Sequence, residues 1–399
     1  MIKSANRIAN VEEYYFSRKL AEVRSLDSPD LRVINLGIGS PDLAPTQRVI
    51  GALAASAQRA DSHGYQSYKG IPALRQAIAT FMQRTYQVNV NAETEVLPLM
   101  GSKEGIMHIM MAFVNEGDEV LIPDPGYPTY ASVAKLVGAK AITYALQENN
   151  HWSIDMEALR QRDLSKVKVM WVNYPHMPTG RVATAAEMQQ LVDLARENDF
   201  LIVNDNPYSL ILNERPLSIL AAKGAEEVAL ELNSLSKSHN MAGWRIGWVT
   251  GNAVYIDAVL RVKSNMDSGM FLGLQQAAVE ALKNGDEWFQ AINKVYTRRK
   301  EVALQMVSTL GCTYSGAQSG LFVWAKVPAQ VADVEKWIDE LLYQTKVFIT
   351  PGFIFGGQGA RYIRISLCSP EEKMKEAHER IKNWIGNKSK AKQSLLEHQ

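Results

Sequence analysis

The stretch VKVMWVNYPHMPTGRVATAAEMQQLVDLARENDFLIVNDNPY, residues 167–208, decides the fold class of this chain. It holds two short apolar runs, VKVMWV and FLIV, on either side of a segment in which Met188, Leu191, Val192 and Ala195 recur at helical spacing. The two runs are apolar throughout rather than alternating, which is typical of strands that helices cover on both faces. The stretch therefore predicts a strand, helix and strand unit of a parallel sheet.

Similar apolar runs occur between about residues 95 and 250, namely EVLIPDP, AKAITYAL, VALELNSLS and RIGWVTG. Helical stretches separate most of them, which predicts an α/β domain with a mostly parallel sheet sandwiched by helices. After about residue 252 long helical segments alternate with the strand-like SGLFVWAKV and RYIRISLC, which predicts a smaller α+β domain. We place the large domain at 46–270, the small domain at 1–45 and 271–388, and a flexible tail at 389–399.

Composition limits the classes of partner. The chain has 399 residues, of which 46% are hydrophobic and 21% charged, with a formal net charge of +1. This balance favours a globular protein with a sizeable core and gives no electrostatic reason to expect nucleic acid or an anionic membrane. Cys312 and Cys368 are the only cysteines, too few for a disulfide framework or a thiolate metal site. The N-terminus lacks an apolar signal core, so we expect a cytoplasmic protein that binds small molecules and no metal.

Polar side chains follow several predicted strands at the point where each strand ends, which is where open α/β sheets bind ligands. They are Asp205 and Tyr208 after FLIVN, Ser234, Ser236 and Lys237 after VALELN, and Ser102 and Lys103 after VLPLMG. Ser102 and Lys103 begin a predicted helix, whose unpaired N–H groups and positive dipole end favour a phosphate. The hydroxyl groups of the two serines at 234 and 236, and the guanidinium of Arg245, suit the same anion.

Lys237 is the reactive group that this arrangement offers. A lysine that is desolvated at a strand end near Arg245 has its neutral amine favoured, and a neutral amine forms a Schiff base with an aldehyde. Asp205, at the end of a neighbouring strand, supplies a carboxylate that keeps a pyridine nitrogen protonated and makes the ring an electron sink. A phosphate, a cationic ring and an aldehyde together describe pyridoxal 5'-phosphate (PLP).

The sequence resembles the fold-type-I PLP-dependent aminotransferases of class I/II, from INLGIGSPDLAP at residue 34 to RYIRISLC at residue 361. The matching motifs are S-x-S-K followed after eight residues by R-x-G, together with NDNPY, DPGYPTY and GSKEG. The resemblance implies a PLP-transferase fold of type I, with a mostly parallel seven-stranded sheet in the large domain. It also implies that Lys237 carries the internal aldimine and that Arg245 binds the cofactor phosphate.

The same resemblance implies the remaining contacts to the cofactor ring. Asp205 is expected to pair with the pyridine nitrogen, Tyr208 to bond the ring hydroxyl, and Tyr127 to stack on the ring. By this reading the three catalytic residues are Lys237, Asp205 and Tyr208.

Further contacts are implied for the cofactor phosphate. Ser102 and Lys103 are expected to bind it through backbone N–H groups, with Ser234 and Ser236 beside them. Tyr65 of GYQSYKG resembles the tyrosine that reaches the phosphate from a neighbouring subunit, and Tyr68 in the same segment is an alternative for this role. This implies a homodimer with shared active sites.

Two residues are implied for the substrate. Arg364 of RYIRISLC matches the arginine that binds the α-carboxylate, and Gly39 of LGIGSPD matches a backbone contact to it. A planar guanidinium suits a carboxylate that must be held in register. The family usually reads N-P-T-G where this chain has HMPTG, and the thioether of Met177 cannot donate a hydrogen bond. Either Tyr208 holds the ring oxygen alone, or His176 or a water replaces the missing amide.

The predicted activity is transfer of an amino group from an α-amino acid to a 2-oxo acid by a ping-pong mechanism. The alternatives are β-elimination with the same cofactor, a PLP-binding protein without turnover, and a nicotinamide oxidoreductase, although GxGxxG is absent and GIGSPD lacks the third glycine. The motifs resemble most the branch with alanine and LL-diaminopimelate aminotransferases, with the aspartate enzymes further away. No second arginine matches a dicarboxylate side chain, which favours an apolar or small amino donor with 2-oxoglutarate or pyruvate as acceptor.

Overall fold

The computed structural model describes residues 2–9 and 15–397. Its α-helices are, in chain order, α1 (Asn6–Ala9), α2 (Tyr15–Ser25), α3 (Gln47–Ala57), α4 (Pro72–Tyr86), α5 (Ser102–Phe113), α6 (Pro128–Leu136), α7 (Met156–Arg160), α8 (Ala185–Glu197), α9 (Ala225–Val228), α10 (Leu235–Ser238), α11 (Ala253–Lys263), α12 (Leu272–Leu282), α13 (Asp286–Thr309), α14 (Val334–Thr345) and α15 (Glu371–Glu397). Its β-strands are β1 (Ile34–Asn35), β2 (Val96–Leu99), β3 (Glu119–Asp124), β4 (Lys140–Ala145), β5 (Val167–Val172), β6 (Leu201–Asp205), β7 (Ala229–Ser234), β8 (Gly247–Gly251), β9 (Phe322–Lys326), β10 (Val347–Phe348), β11 (Thr350–Pro351) and β12 (Tyr362–Ser366).

The large sheet has seven strands in the order β2-β8-β7-β6-β5-β3-β4. Strand β8 runs antiparallel to its neighbours β2 and β7, and the remaining pairs are parallel. In β6, Ile202 packs into the core on one face of the sheet, while Leu201 and Val203 pack into the core on the other face. Burial on both faces explains why the strand is apolar throughout, and the predicted α/β class with a mostly parallel sheet is confirmed.

Helix α8 illustrates how local sequence sets an element of this domain. It begins with a capping box, in which Thr184 accepts a hydrogen bond from the Glu187 N–H group and Glu187 accepts one from the Thr184 N–H group. Its buried face is formed by the residues that the helical periodicity singles out, Met188, Leu191, Val192 and Ala195, together with Leu194. The helix therefore covers the sheet with the face that the sequence predicts.

The smaller sheets join the two ends of the chain. Strands β11, β12 and β9 form an antiparallel sheet, and the short β1 pairs in parallel with β10. The N-terminal segment thus packs with the C-terminal third, as the sequence predicts, while the domain boundaries at 45/46 and 270/271 stay predictions. Residues 389–397 continue α15, where the sequence predicts a flexible tail, and residues 398–399 lie outside the described part of the chain.

The segment between β1 and α3 crosses from the small sheets to the large one. Its Leu36 carbonyl oxygen accepts a hydrogen bond from the Ser366 N–H group at the end of β12, 2.7 Å away. Further along, Asp42 accepts two hydrogen bonds from the buried Arg299 guanidinium of α13, at 2.6 and 2.8 Å. Both anchors fix this segment beside the carboxyl ends of the large sheet.

Candidate active site

A cavity of about 400 Å³ lies where the carboxyl ends of the central strands face β12. It is lined by every residue that the sequence predicts for the site except Tyr65: Gly39, Ser102, Lys103, Tyr127, Asp205, Tyr208, Ser234, Ser236, Lys237, Arg245 and Arg364. These residues come from widely separated parts of the chain, so their convergence on one cavity is a property of the fold rather than of any single motif.

Two neighbouring parallel strands place Asp205 and Lys237 in the same cavity. Asp205 is the last residue of β6 and pairs in register with Leu232 of β7. Lys237 follows β7 in the single-turn helix α10, whose first turn is capped by the Ser234 side chain accepting from the Ser236 N–H group at 3.1 Å. Because parallel strands end at the same sheet edge, the carboxylate and the amine face one space.

Lys237 lies in a largely desolvated environment. Burial lowers the pKa of its amine, and the nearby Arg364 and Arg245 guanidinium groups lower it further, against the opposing effects of the Cys368 thiol and Asp205. Its Nζ donates a hydrogen bond to the Gly39 carbonyl oxygen at 2.5 Å. The neutral, nucleophilic form of the amine is therefore favoured at the position where the sequence predicts the Schiff-base lysine.

Asp205 is held by two neighbours that the sequence analysis did not single out. The Tyr130 hydroxyl donates to Asp205 Oδ2 at 2.8 Å, and Asn173 Nδ2 donates to the Asp205 carbonyl oxygen at 2.5 Å. Oδ1 is buried and has no hydrogen-bond partner among the described residues. Burial raises the pKa of this carboxyl to about 6. A buried acceptor without a partner fits the protonated ring nitrogen of PLP, which would supply the missing donor.

The N-terminus of α5 and Arg245 form the anion-binding end of the cavity. Gly101 precedes the helix with φ of +90°, and a Cβ at this position would overlap Arg245 Nη2. Arg245 itself has φ of +56°, and its Nη1 donates to the Ala242 carbonyl oxygen at 2.9 Å. Glycine at 101 therefore lets a guanidinium approach the N-terminus of the helix, an arrangement that fits a phosphate.

Aromatic side chains form the walls beside the ring position. Tyr127 is the N-cap residue of α6, and its ring meets that of Tyr130 edge to face at 5.6 Å. Tyr208 lies after β6 and meets Phe322 edge to face at 5.8 Å. Burial raises the pKa of both Tyr127 and Tyr208, so each phenol stays protonated and able to donate a hydrogen bond.

Arg364 occupies the opposite end of the cavity on β12. It is 5% exposed, and its guanidinium carbon lies 3.9 Å from the Phe322 ring centre and 4.6 Å from that of Phe355. Nη2 donates to the Gly37 carbonyl oxygen at 2.8 Å, and Nη1 donates to Met177 Sδ at 3.1 Å. The cation is thus held between two aromatic rings at the edge of the cavity.

The position of Met177 bears on the alternatives that the sequence leaves open. Met177 lines the cavity, whereas His176 is not among its lining residues. The His176 ring is buried, and its Nδ1 lies 2.8 Å from Thr179 Oγ1. Of the proposed substitutes for the missing amide, His176 is therefore turned toward the protein interior, and Tyr208 is the one that shares the cavity with Met177.

Tyr65 is the predicted site residue that lies outside the cavity. Its side chain is 93% exposed, in the loop between α3 and α4. Its role at the phosphate of a neighbouring subunit stays a prediction.

Several residues that line the cavity or contact Asp205 were missed by the sequence analysis. Tyr130 follows Tyr127 by three residues, so both lie on one helical face, and Asn173 directly follows β5, next to the strand β6 that Asp205 ends. The sequence therefore contained a pattern from which the roles of Tyr130 and Asn173 could have been predicted. The aromatic residues Phe322 and Phe355 had no such pattern, because they approach Arg364 only through the fold of the small domain, in which β9 pairs with β12.

One cluster outside the cavity resembles a metal site by residue type. Glu104, His108 and Asp267 bring candidate ligand atoms within 4.8 Å of one another. Lys263 Nζ, however, lies 2.6 and 2.8 Å from the two carboxylate oxygens of Asp267. Since this ammonium supplies the positive charge that the cluster needs, we infer no metal centre from it.

The fold and the cavity together define a fold-type-I PLP-dependent enzyme. The family model for aminotransferase class I and II matches residues 32–381 of the chain. The chain belongs to this family, whose members depend on PLP, and it is a PLP-dependent aminotransferase.

Individual relatives agree with this assignment. An LL-diaminopimelate aminotransferase of Dehalococcoides mccartyi (strain CBDB1) is 39% identical over 380 residues, covering 94% of this chain and 97% of the relative. The structure of apo-BacF from Bacillus subtilis is similar with a TM-score of 0.92 and 34% identity, over 96% of this chain and 98% of that one. An aminotransferase from Staphylococcus aureus has a TM-score of 0.87 and 31% identity, over 96% and 99% of the two chains.

Proposed function

We propose that this aminotransferase acts through Lys237 and takes an amino acid with an apolar side chain as its amino donor. The observation that carries the assignment of Lys237 is its placement as a desolvated amine in the same cavity as Asp205 Oδ1, which has no hydrogen-bond partner in the described part of the chain. PLP, when bound, supplies an electron sink for the substrate Cα–H bond. Asp205 Oδ1 would accept the ring N–H, and Arg245 with the N-terminus of α5 would hold the phosphate.

Each remaining residue has a role that follows from its position. Tyr127 packs against the ring face, and the Tyr208 hydroxyl donates to the ring oxygen. Arg364 binds the substrate α-carboxylate and fixes the orientation of the Cα–H bond. The neutral Lys237 Nζ would take the Cα proton as general base and, once protonated, would act as general acid in the later proton transfer. The oxo-acid acceptor runs the same sequence in reverse, which gives ping-pong kinetics.

The walls of the cavity support an apolar donor. Among the described residues that line it, the large apolar side chains are Phe16, Leu20, Ile38, Met177, Phe322 and Phe355. The lining arginines in the described part of the chain are Arg245 and Arg364, and both already have an anionic partner in the proposal. A side-chain carboxylate would find no further guanidinium there, whereas an aliphatic or aromatic side chain would bury apolar surface.

The competing candidate is LL-diaminopimelate, because relatives with 35–39% identity are named LL-diaminopimelate aminotransferases. A screen of the single half-reaction separates the two. The PLP form is mixed with each of the twenty amino acids or with LL-diaminopimelate, and the rate of the cofactor absorbance change is measured. We expect leucine, methionine, phenylalanine or alanine to react fastest, with 2-oxoglutarate or pyruvate restoring the starting spectrum. If LL-diaminopimelate reacts faster than every apolar amino acid, the apolar-donor proposal is wrong.

We further propose a homodimer with shared active sites. Tyr65 and Tyr68 are 93% and 45% exposed, and Met266, 59% exposed, lies on the loop whose Gly269 packs against the backbone of residues 66 and 67. Exposed large apolar side chains on adjoining loops are typical of a protein interface. Light scattering is expected to give twice the chain mass, and a monomer that keeps full activity would contradict the proposal.

The proposed compartment is the cytoplasm. Cys312 and Cys368 are buried free thiols rather than a disulfide, as a reducing environment favours. Within the described residues, no helix combines the length and apolar character needed to cross a bilayer. Fractionation of cells that express the chain at native level is expected to recover it with soluble cytoplasmic markers.

A further inference from the structure

Met177 and Arg364 are paired at the substrate end of the cavity. Arg364 Nη1 donates a hydrogen bond to Met177 Sδ at 3.1 Å, and both residues are only 5% exposed. A thioether is a weak acceptor and has no hydrogen to donate. The pair therefore joins a strong, buried donor to one of the weakest acceptors that a protein offers.

The position of the sulfur is fixed from the backbone. The Met177 N–H group donates to Asn173 Oδ1 at 2.7 Å, and Asn173 Nδ2 donates to the Asp205 carbonyl oxygen at 2.5 Å. The two residues that contact substrate and ring, Arg364 and Asp205, are thus linked through Met177 and Asn173. Asn173 thereby holds the Met177 backbone next to the end of β6, and Sδ lies within reach of Arg364 Nη1.

The guanidinium plane is fixed by aromatic packing. Phe322 and Phe355 contact Arg364 at 3.9 and 4.6 Å from ring centre to guanidinium carbon, and the Gly37 carbonyl oxygen accepts from Nη2. Because the two rings hold the guanidinium plane and the Gly37 carbonyl oxygen holds Nη2, the direction in which the Nη1 N–H groups point is fixed. A buried N–H group without an acceptor is destabilised, so the strength of the acceptor opposite Nη1 contributes to the free energy of the ligand-free state.

We propose that Met177 is a displaceable partner that keeps Arg364 oriented for the substrate carboxylate. This inference rests on the proposed role of Arg364. In the ligand-free enzyme, Sδ satisfies Nη1 weakly. An incoming carboxylate replaces it with a charge-assisted hydrogen bond, and the exchange loses little because the sulfur contact is weak. Met177 is in this sense a positioning residue, and its acceptor strength sets the affinity for the carboxylate.

Two variants of similar size change the acceptor strength in opposite directions. Met177→Leu removes the acceptor, which destabilises the ligand-free state and strengthens carboxylate binding. Met177→Gln provides an amide oxygen, which competes with the carboxylate for Nη1. We expect hydrocinnamate to bind about two- to fivefold more tightly to Met177→Leu and about five- to tenfold more weakly to Met177→Gln than to the unaltered holoenzyme.

The test compares hydrocinnamate with its neutral amide by titration calorimetry on each holoenzyme. The ratio of the two affinities measures the carboxylate contribution and does not depend on the fraction of folded protein. We expect this ratio to fall in the order Met177→Leu, unaltered enzyme, Met177→Gln. If the ratio is the same in all three, or lower in Met177→Leu than in Met177→Gln, the displaceable-partner proposal is wrong.

Arg364→Gln separates this proposal from the proposed role of Arg364 in carboxylate binding, on which it rests. If Arg364 binds the carboxylate, Arg364→Gln loses the preference for hydrocinnamate over the amide. A variant that keeps the preference overturns the proposed role of Arg364 and the inference with it. Loss of the preference, combined with no ordering among the Met177 variants, overturns only the inference about Met177.

Discussion

The Lys237 amine and the Gly39 carbonyl oxygen are joined by a hydrogen bond of 2.5 Å across 198 positions of sequence. Gly39 belongs to the segment that Asp42 and Arg299 anchor to the small domain. The neighbouring Gly37 carbonyl oxygen accepts from Arg364. One short segment therefore contacts both the proposed catalytic amine and the proposed carboxylate-binding cation. Its position affects both proton transfer by Lys237 and substrate binding by Arg364.

The ion pair of Asp42 and Arg299 provides a test of this anchor. Asp42→Asn leaves the nearly buried guanidinium without its counter-charge, and we expect a loss of about 3 kcal/mol in the free energy of unfolding. We also expect KM for the amino donor to rise, because the segment that carries Gly37 and Gly39 loses its attachment. Urea denaturation and steady-state kinetics measure the two effects.

A matched control is the exposed ion pair of Arg196 and Glu227, whose side chains are 42% and 53% exposed. Glu227→Gln is expected to change stability by less than about 1 kcal/mol and to leave KM unaltered. If Asp42→Asn and Glu227→Gln lose the same free energy of unfolding, the pair of Asp42 and Arg299 contributes no more to stability than an exposed ion pair.

In the apoenzyme, the ionised Asp205 carboxylate is expected to lower the free energy of unfolding. Burial raises the pKa of this carboxyl from 3.8 to about 6, so its proton is bound more tightly in the folded state than in the unfolded state. The stabilising contribution of the proton is complete below pH 3.8 and is lost as the pH rises through 6. At pH 7.5 the ionised carboxylate then costs the folded apoenzyme about 3 kcal/mol.

Asp205→Asn removes this cost together with the partner of the ring nitrogen. We expect the apoenzyme variant to have a higher Tm than the unaltered apoenzyme at pH 7.5, with the gap closing toward pH 4, and to bind PLP more weakly. Thermal unfolding with and without PLP at both pH values measures this. A variant that is less stable than the unaltered apoenzyme at pH 7.5 contradicts the prediction.

Arg364→Lys tests the planar geometry of the carboxylate site. A bidentate, charge-assisted pair becomes a single point contact, and we expect kcat/KM to fall by about 2 to 4 kcal/mol in activation free energy. Arg361→Lys is the matched control, since Arg361 bonds the carbonyl oxygens of Pro328 and Val331 and is not among the cavity's lining residues. A similar loss of kcat/KM in the two variants would place the carboxylate elsewhere.

Tyr65 and Tyr68 compete for the role at the phosphate of the neighbouring subunit. Tyr65→Phe removes a hydroxyl donor to a charged acceptor, and we expect the Kd for PLP to rise about tenfold. Fluorescence titration of the apoenzyme measures it, with light scattering to follow the oligomeric state. Tyr68→Phe is expected to change the Kd less, and the reverse order would transfer the role to Tyr68.

The sequence predicted those features of the site that depend on nearby residues. Apolar runs gave the strands, helical periodicity gave α8, and the ends of adjacent strands brought Asp205 and Lys237 together. The pair of Tyr130 and Asp205 spans 75 positions, and the pair of Met177 and Arg364 spans 187. The first pair depends on packing between distant elements of the large domain, and the second depends on packing between the two domains. Neither periodicity nor a motif carries that information.

Gly39 and Met177 make contacts that the resemblance to family motifs did not predict. Gly39 lines the cavity as expected, yet its carbonyl oxygen accepts from Lys237, a contact that the match did not suggest. From the sequence, Met177 could be recognised only as a residue that cannot donate the expected hydrogen bond. Its contact with Arg364 is shown only by the structure. Local patterns therefore placed residues in the site, and tertiary packing determined their partners.

The most direct test of the account is to find which lysine PLP is bound to. The holoenzyme is treated with borohydride, which converts a reversible link between lysine and cofactor into a stable one, and the labelled peptide is sequenced by mass spectrometry. We expect the label on Lys237 alone, and none after borohydride treatment of Lys237→Ala. A stoichiometric label on another lysine, such as Lys103 in the same cavity, would contradict the assignment on which the proposed chemistry rests.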